Sequence, residues 1–487
     1  MTPTGQTVAI VGGGITGLAA ALELVEQNRQ RGLGLRILLV EADPAFGGKI
    51  VTHRVRDCVI EAGPDSFLSQ KPWALDLCRR LGLADQLINT NEAHRQTFVY
   101  SQGALRELPE GMVVIKPGNI GPFVRSGLLS WPGLVRMGLE YILPPKAPNG
   151  DESLAAFFRR RFGREATARL IEPLMAGIYA GDAEQMSLKA TFPRFLELEQ
   201  KQGSVIRGMV AAGKQAAEKK AAGAAPRHSL FVTLKGGLID LVETAVARLR
   251  EAGVDLRTNC AVDSLRVRSK EVGRWVYDLQ LSDNTTCAAD AVLLATPAFA
   301  ASSLVTPLSP SAAGLMEQIP YASTATMSLL YRATDVREHV RGFGFVVPRG
   351  EQELLLATTW TSLKWPHRAP DDRTLVRAYM GGVGRESALA ASDAELIPRV
   401  REELTRLSGL RAEPEYVEVN RWHRAMPQYT IGHVDRVAAI DTALSRYPGL
   451  VVAGAAYRGV GIPDCIRDGQ ERAGRLLAAL SSPVGRA

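Results

Sequence analysis

"VAIVGGGITGLAAALEL", residues 8–24, and "LRILLVEA", residues 35–42, decide the fold. An apolar run long enough for a buried strand stops at Gly12, and a proline-free run of helix formers begins after Gly14. The second stretch is again a strand, so the opening of the chain predicts a strand–helix–strand crossover with a parallel pair. Gly12-x-Gly14-x-x-Gly17 falls on the turn between strand and helix, and Glu41 ends the second strand. Glycines there permit a tight turn, close approach of a pyrophosphate and close helix–strand packing. The helix N-terminus contributes partial positive charge, and the acid can accept from ribose hydroxyls. Gly13, Ile15, Thr16 and Ala42 share the same turn and strand end, and the set predicts a dinucleotide site. The acid lies farther along than usual because "EQNRQRGLGL" lengthens the crossover.

Two more glycine-rich stretches need an explanation. "ADPAFGGKI" (42–50) places Gly47-Gly48 and Lys49 directly after the acid, a second glycine turn that a nicotinamide site does not require. Near the other end, "VVAGAAYRGVGIPDCIRDG" (451–469) reads as a strand, a turn with glycines at 454, 459 and 461, and a helix opened by Pro463.

With 487 residues, 46% of them hydrophobic, the chain predicts two or three globular units. Lys and Arg exceed Asp and Glu by 58 to 51, a mild excess that suits an anionic ligand. No basic block interleaved with aromatics points to nucleic acid. Cysteines 58, 78, 260, 287 and 465 form neither a CxxC pair nor a spaced set with histidine, so no disulfide framework and no metal site are expected. "MTPTGQT" runs straight into the first strand without a signal-peptide pattern, which predicts a cytoplasmic protein, and no apolar run reaches membrane-spanning length. The segment 211–226, "AAGKQAAEKKAAGAAP", is low in complexity and reads as a flexible surface connection.

With these motifs in place, the chain resembles the flavoprotein superfamily of amine oxidases, phytoene desaturases and protoporphyrinogen oxidases. "IEAGPDSFLSQKP" (60–72), "EPLMAGIYAGDAEQMSLKATFPRF" (172–195), "RWHRAMPQYTIGHVDR" (421–436) and "GAAYRGVGIPDCI" (454–466) are similar to the bacterial protoporphyrinogen/coproporphyrinogen oxidases, essentially end to end. One departure is Lys49, where the superfamily usually has Arg; the charge is kept and the bidentate fork is lost.

The resemblance implies an α/β fold in which a Rossmann-like FAD-binding domain is assembled from residues 1–52, 229–302 and 447–487. It further implies a mixed-sheet substrate-binding domain from 53–95 and 303–446, and a helical, membrane-associating domain at 96–228. Noncovalent FAD would be held by Gly12, Gly13, Gly14, Ile15, Thr16, Gly17, Glu41, Ala42, Gly48, Lys49, Gly63, Pro64, Asp65, Ser66, Val262, Trp422, Gly454, Val460, Gly461 and Ile462. The implied activity is oxidation of a porphyrinogen to its porphyrin in haem biosynthesis, with O2 reoxidising the flavin to give hydrogen peroxide. No separate catalytic side chain is identified, because the flavin carries the chemistry. For the macrocycle, Phe67, Leu68, Met175, Ile178 and Met327 are the expected apolar walls, and Lys71 and Arg95 the expected partners of propionates. "GPDSFL" and "AGIYAGD" favour coproporphyrinogen III, with protoporphyrinogen IX as the alternative and an amine, more distantly, as a third. Product hand-off to a haem-pathway chelatase and peripheral contact with the inner face of the membrane complete the implied partners.

Overall fold

The computed structural model describes residues 5–108, 124, 126–147, 150–221, 228–271, 274–351 and 354–481. The strands Thr7–Val11 and Arg36–Val40 pair in parallel across the helix Ile15–Arg31, as the opening stretch predicts. Asp255–Arg257, Ala291–Leu294 and Leu450–Val452 complete a five-stranded parallel sheet, in the order 255–257, 36–40, 7–11, 291–294, 450–452. Every residue of Thr7–Val11 is buried, the continuous apolar pattern that a strand covered on both faces requires. One face packs against the helices 15–31, 239–251 and Ile462–Ser481, the other against a three-stranded antiparallel meander and the helices 298–305, 310–317 and His433–Leu444.

The two ends of the chain meet through a close helix–helix contact. A Cβ on Gly469 would stand 2.3 Å from the Thr16 carbonyl oxygen, so the last helix lies backbone to backbone on the first. That approach sets the strand Leu450–Val452 beside Ala291–Leu294 and brings the last glycine turn up to the first.

A seven-stranded sheet forms the second layer, in the order Tyr416–Pro427, Tyr321–Arg332, Arg373–Gly381, Leu355–Trp360, Gly344–Val346, Thr97–Ser101, Ala104–Glu107. Its back is covered by the helix Asp393–Ser408, which starts at a capping box of Ser392 and Glu395. Leu396, Val400 and Leu404 of that helix pack with Ala325, Met327, Leu329 and Tyr331.

Two expectations are corrected here. Residues 97–107 were expected in the helical domain, but they form a hairpin at the edge of this sheet. Gln102 and Gly103 both take positive φ (54° and 78°), the two-residue turn that matches strand twist, so "TFVYSQGALRE" carries a hairpin signal. The supposed flexible segment is helical as far as Ala221, in the helix Val205–Ala221. Alanine and lysine are strong helix formers, and Val205, Ile206 and Met209 anchor the helix in the core. Residues 222–227 lie outside the described residues.

The helical domain centres on Phe157, Phe158, Phe162 and Phe195, whose rings meet edge-on or stacked. Beneath them Arg161 and Glu140 form a fully buried ion pair. Glu140 also accepts from the Val205 and Ile206 backbone N–H groups, so it caps the helix that follows.

Candidate active site

The first glycine turn divides into packed and open positions. A Cβ on Gly17 would meet the Gly12 carbonyl oxygen at 2.0 Å, and one on Gly12 (φ +105°) would meet the Ala295 oxygen at 2.8 Å. Gly14, the N-cap of the first helix, has nothing within 4 Å of that position, and no side chain caps the helix. An open cradle before an uncapped helix N-terminus is the shape a pyrophosphate needs. Glu41 closes one side: one carboxylate oxygen accepts from Gly13 N–H (2.6 Å) and the other from Asp43 N–H (3.0 Å). Asn259 donates its N–H to the Asp43 carbonyl and Cys260 to the Glu41 carbonyl, so the chain leading into Val262 runs along the same strand end. The Thr296 hydroxyl, next to Gly12, is buried without a hydrogen-bond partner among the described residues.

The second glycine turn folds onto the first. Gly47 donates its N–H to the Gly13 carbonyl at 2.9 Å, and Gly48 approaches the Gly14 α-carbon. Lys49 donates from Nζ to the Ala425 carbonyl, and burial depresses its ammonium below the ordinary range. A Cβ on Gly63 would stand 1.8 Å from the Lys49 carbonyl oxygen and in contact with the Trp422 ring. Trp422 Nε1 and Thr326 Oγ1 both donate to the Ala62 carbonyl at 2.9 Å. The buried guanidinium of Arg377 donates to the carbonyls of Ala62 and Gly63. This stretch of backbone therefore has a fixed position against the face of the large sheet.

Asp65 is held by protein partners: Lys364 Nζ at 2.9 Å, Trp365 Nε1 at 3.2 Å and Ser66 Oγ at 2.6 Å. Burial alone would raise its carboxyl, but Lys364, Arg377 and Ser66 outweigh that and hold it far below the usual carboxylate range. Behind it, buried Arg368 bonds to Glu61 (3.1 Å) and Thr233 (2.8 Å), tying the loop before the strand Arg373–Gly381 to the strands Cys58–Glu61 and Phe231–Leu234. Neither Arg377 nor Arg368 was expected as a site residue. Each falls in an otherwise apolar or turn-like run, where one arginine gives no signal until its strand or loop is placed.

The last glycine turn arrives beside Thr16, whose hydroxyl would lie 3.4 Å from a Cβ on Gly454. Gly454 N–H donates to Asp468 at 2.8 Å, and Lys71 pairs with Asp464 in the first turn of the last helix at 2.5 Å. Buried Cys465 donates toward the Gly459 and Val460 carbonyls, and burial pushes its thiol up to about 12. A protonated thiol is a poor nucleophile. The Ile462 side chain is turned into the core, leaving its backbone for any ligand.

Of the expected substrate walls, Leu68 is half-buried and Met175 packs at the margin of the core around Phe157 and Phe158, where Val460, expected at the cofactor, packs as well. Val346 joins them there from the large sheet. The Ile178 side chain lies outside the described residues. Phe67 and Met327 are corrections. Strand neighbours point to opposite faces, so Leu68 turns one way and Phe67 goes into the core under the five-stranded sheet. By the same alternation Thr326 faces Ala62, and Met327 faces the helix 393–408. Arg95 is exposed and pairs with Glu92 three residues back. Lys71 is half-exposed with its charge engaged by Asp464. Among the described residues no group of His, Cys, Asp and Glu forms a metal site.

The family model for flavin-containing amine oxidoreductases matches residues 15–477. The chain belongs to that family. It is 40% identical over 476 residues to a coproporphyrinogen III oxidase of Bacillus subtilis, covering 98% of each chain. It is 31% identical to a chloroplastic protoporphyrinogen oxidase of Spinacia oleracea, over 97% of this chain and 84% of that one. A crystal structure of a protein from Exiguobacterium sp. 255-15 superposes with a TM-score of 0.84 at 33% identity, covering 98% of this chain and 99% of the other. The family is flavin-containing, and the open cradle at Gly14, the Glu41 carboxylate and the orphaned Thr296 hydroxyl fit a flavin in its dinucleotide form, FAD.

Proposed function

We propose that this protein oxidises coproporphyrinogen III to coproporphyrin III in haem biosynthesis, with O2 as the final acceptor and hydrogen peroxide as the by-product. The observation that carries the reading is the likeness to the Bacillus subtilis coproporphyrinogen III oxidase along 98% of both chains. Bound FAD supplies the hydride acceptor. The chain's own part is to hold that acceptor beside the macrocycle, with the partly buried side chains of Leu68, Met175, Val346 and Val460 as its apolar walls in this reading. Arg377 fixes the 62–63 backbone beside it. Carboxylates of the substrate are drawn by a net positive protein.

Protoporphyrinogen IX is the second reading, favoured by the 31% identity to the spinach enzyme. The deciding experiment measures kcat/KM for both porphyrinogens by the appearance of porphyrin fluorescence. A higher value for coproporphyrinogen III supports the first reading, and the reverse order supports the second. Turnover of neither would sink both.

Peripheral contact with a membrane is part of the same proposal. Trp131, Val135, Leu139 and Ile142 are 70%, 63%, 44% and 68% exposed along one short segment, and the Arg207 guanidinium lies 4.6 Å above the exposed Tyr141 ring. An apolar ridge with basic neighbours suits an interfacial helix, while no helix among the described residues is long and apolar enough to cross a membrane. Co-sedimentation with anionic vesicles tests it: Trp131→Ser with Ile142→Ser should release the protein, and binding that survives both changes rules this ridge out.

A further inference from the structure

Tyr429 lies between the strand Tyr416–Pro427 and the helix 433–444, on elements separate from the last glycine turn that follows them in the chain. It is 2% exposed, and its hydroxyl makes two hydrogen bonds to the last glycine turn. It donates to the Ala455 carbonyl at 2.7 Å and accepts from Gly459 N–H at 2.7 Å. A hydroxyl has one proton to give, so these roles are fixed, and both distances are those of well-formed bonds. One oxygen thereby pins two points of an irregular loop whose Gly459 takes φ +130°.

The ring that carries this hydroxyl is itself held. It stacks on His433 with centroids 3.9 Å apart and planes 13° from parallel. His433 Nε2 meets the Tyr457 carbonyl at 3.0 Å, between the two points that Tyr429 holds. The Tyr429 backbone also reaches the helical domain, accepting from Ser187 N–H at 2.8 Å. Its neighbour Gln428 donates to the Tyr179 carbonyl at 3.0 Å. The shape of the loop is therefore dictated from the junction of the sheet and helical domains, and little by its own backbone pairing.

We propose that Tyr429 is a positioning residue for the flavin, setting the 455–461 backbone at the distance from the cofactor on which binding and redox behaviour depend. The inference rests on the reading that this turn lies against FAD. Removal of the hydroxyl alone takes the partner from a half-buried N–H and a half-buried carbonyl, and the loop is free to relax.

The test compares Tyr429→Phe with Gly461→Val in the FAD-loaded protein, reading FAD dissociation, the visible flavin spectrum and the flavin midpoint potential. Tyr429→Phe should weaken FAD binding about tenfold or more and shift both spectrum and potential. A wild-type spectrum, potential and affinity in Tyr429→Phe, together with altered values in Gly461→Val, would overturn the brace and leave the flavin reading standing. Wild-type values in both would show instead that the turn is not at the flavin. Hydrogen exchange on the unsubstituted holoprotein is independent of whether a variant folds: Gly459 N–H should be protected, and exchange as fast as in an open loop overturns the proposal.

Discussion

The first and the last glycine turns are built in different ways. The turn at 12–17 is held by backbone: Gly12 wedged against Ala295, Gly17 against Gly12, with one carboxylate, Glu41, closing it. The turn at 454–461 is held by side chains from other elements: Asp468 on Gly454, Tyr429 on Ala455 and Gly459, and His433 on Tyr457. A turn fixed by its own sterics has a sequence signature of fixed spacing. One fixed by imported side chains has glycines but no spacing rule, because its shape is decided by whatever packs around it.

The largest expected effect separates packing from binding within the first turn. Gly17→Val puts a side chain where backbone already stands 2.0 Å away, so soluble, folded protein should be lost, as read by yield and far-UV circular dichroism. Gly14→Val, where the position is open, should leave that spectrum intact and abolish FAD binding. Normal flavin content in folded Gly14→Val would show that the cradle is not the pyrophosphate site.

The turn at 454–461 should be acid-sensitive through His433. Burial pushes His433 down to about 4, so between pH 6.5 and 4 the unfolded chain binds the proton that the folded chain refuses. Stability should fall over that window as the pH drops, by about 3 kcal/mol from this one residue. His433→Phe should remove that slope from denaturant titrations while keeping a flat ring under Tyr429. An unchanged slope would place the acid sensitivity elsewhere.

Smaller effects sharpen the contrast. Glu41→Ala should weaken FAD binding roughly 10- to 150-fold, the loss of a charged hydrogen bond of about 1.5 to 3 kcal/mol. Because the same carboxylate accepts from Gly13 N–H, Glu41→Gln should recover part of that loss by keeping an acceptor. Lys71→Ala comes last. The pair with Asp464 is half-exposed on the lysine side, so kcat/KM should fall by no more than about fivefold, and high salt should reduce the difference. A much larger loss at low salt would mean that Lys71 leaves Asp464 to meet a substrate carboxylate.

How much was legible follows the same division. The strand–turn–helix at 7–31, the acid at 41 and the helix at 393–408 with its Ser–Glu capping box were readable because their signals are local: spacing, periodicity and caps. The hairpin at 97–107 was readable in principle from Gln102-Gly103, but its membership of the large sheet depends on parallel pairing of Thr97–Ser101 with Gly344–Val346. Phe67 and Met327 were misassigned because each turns into a core while its neighbour, Leu68 or Thr326, takes the other face, and a strand's apolar residues do not say which of two buried faces they occupy.

The sequence by itself determined the parallel crossover, the dinucleotide fingerprint and the family, since these rest on residues close together whose spacing satisfies one backbone geometry. Tertiary structure alone decided how the ends of the chain meet. Gly469 carries no side chain and lets the last helix touch the first at Thr16. It also decided which polar groups became partners: Arg377 for the 62–63 carbonyls, Lys364 for Asp65, Lys71 for Asp464 and Tyr429 for the last glycine turn. Buried donors and acceptors must be paired, but the partner is chosen by the packing of distant elements. The order of residues along the chain does not encode that choice locally.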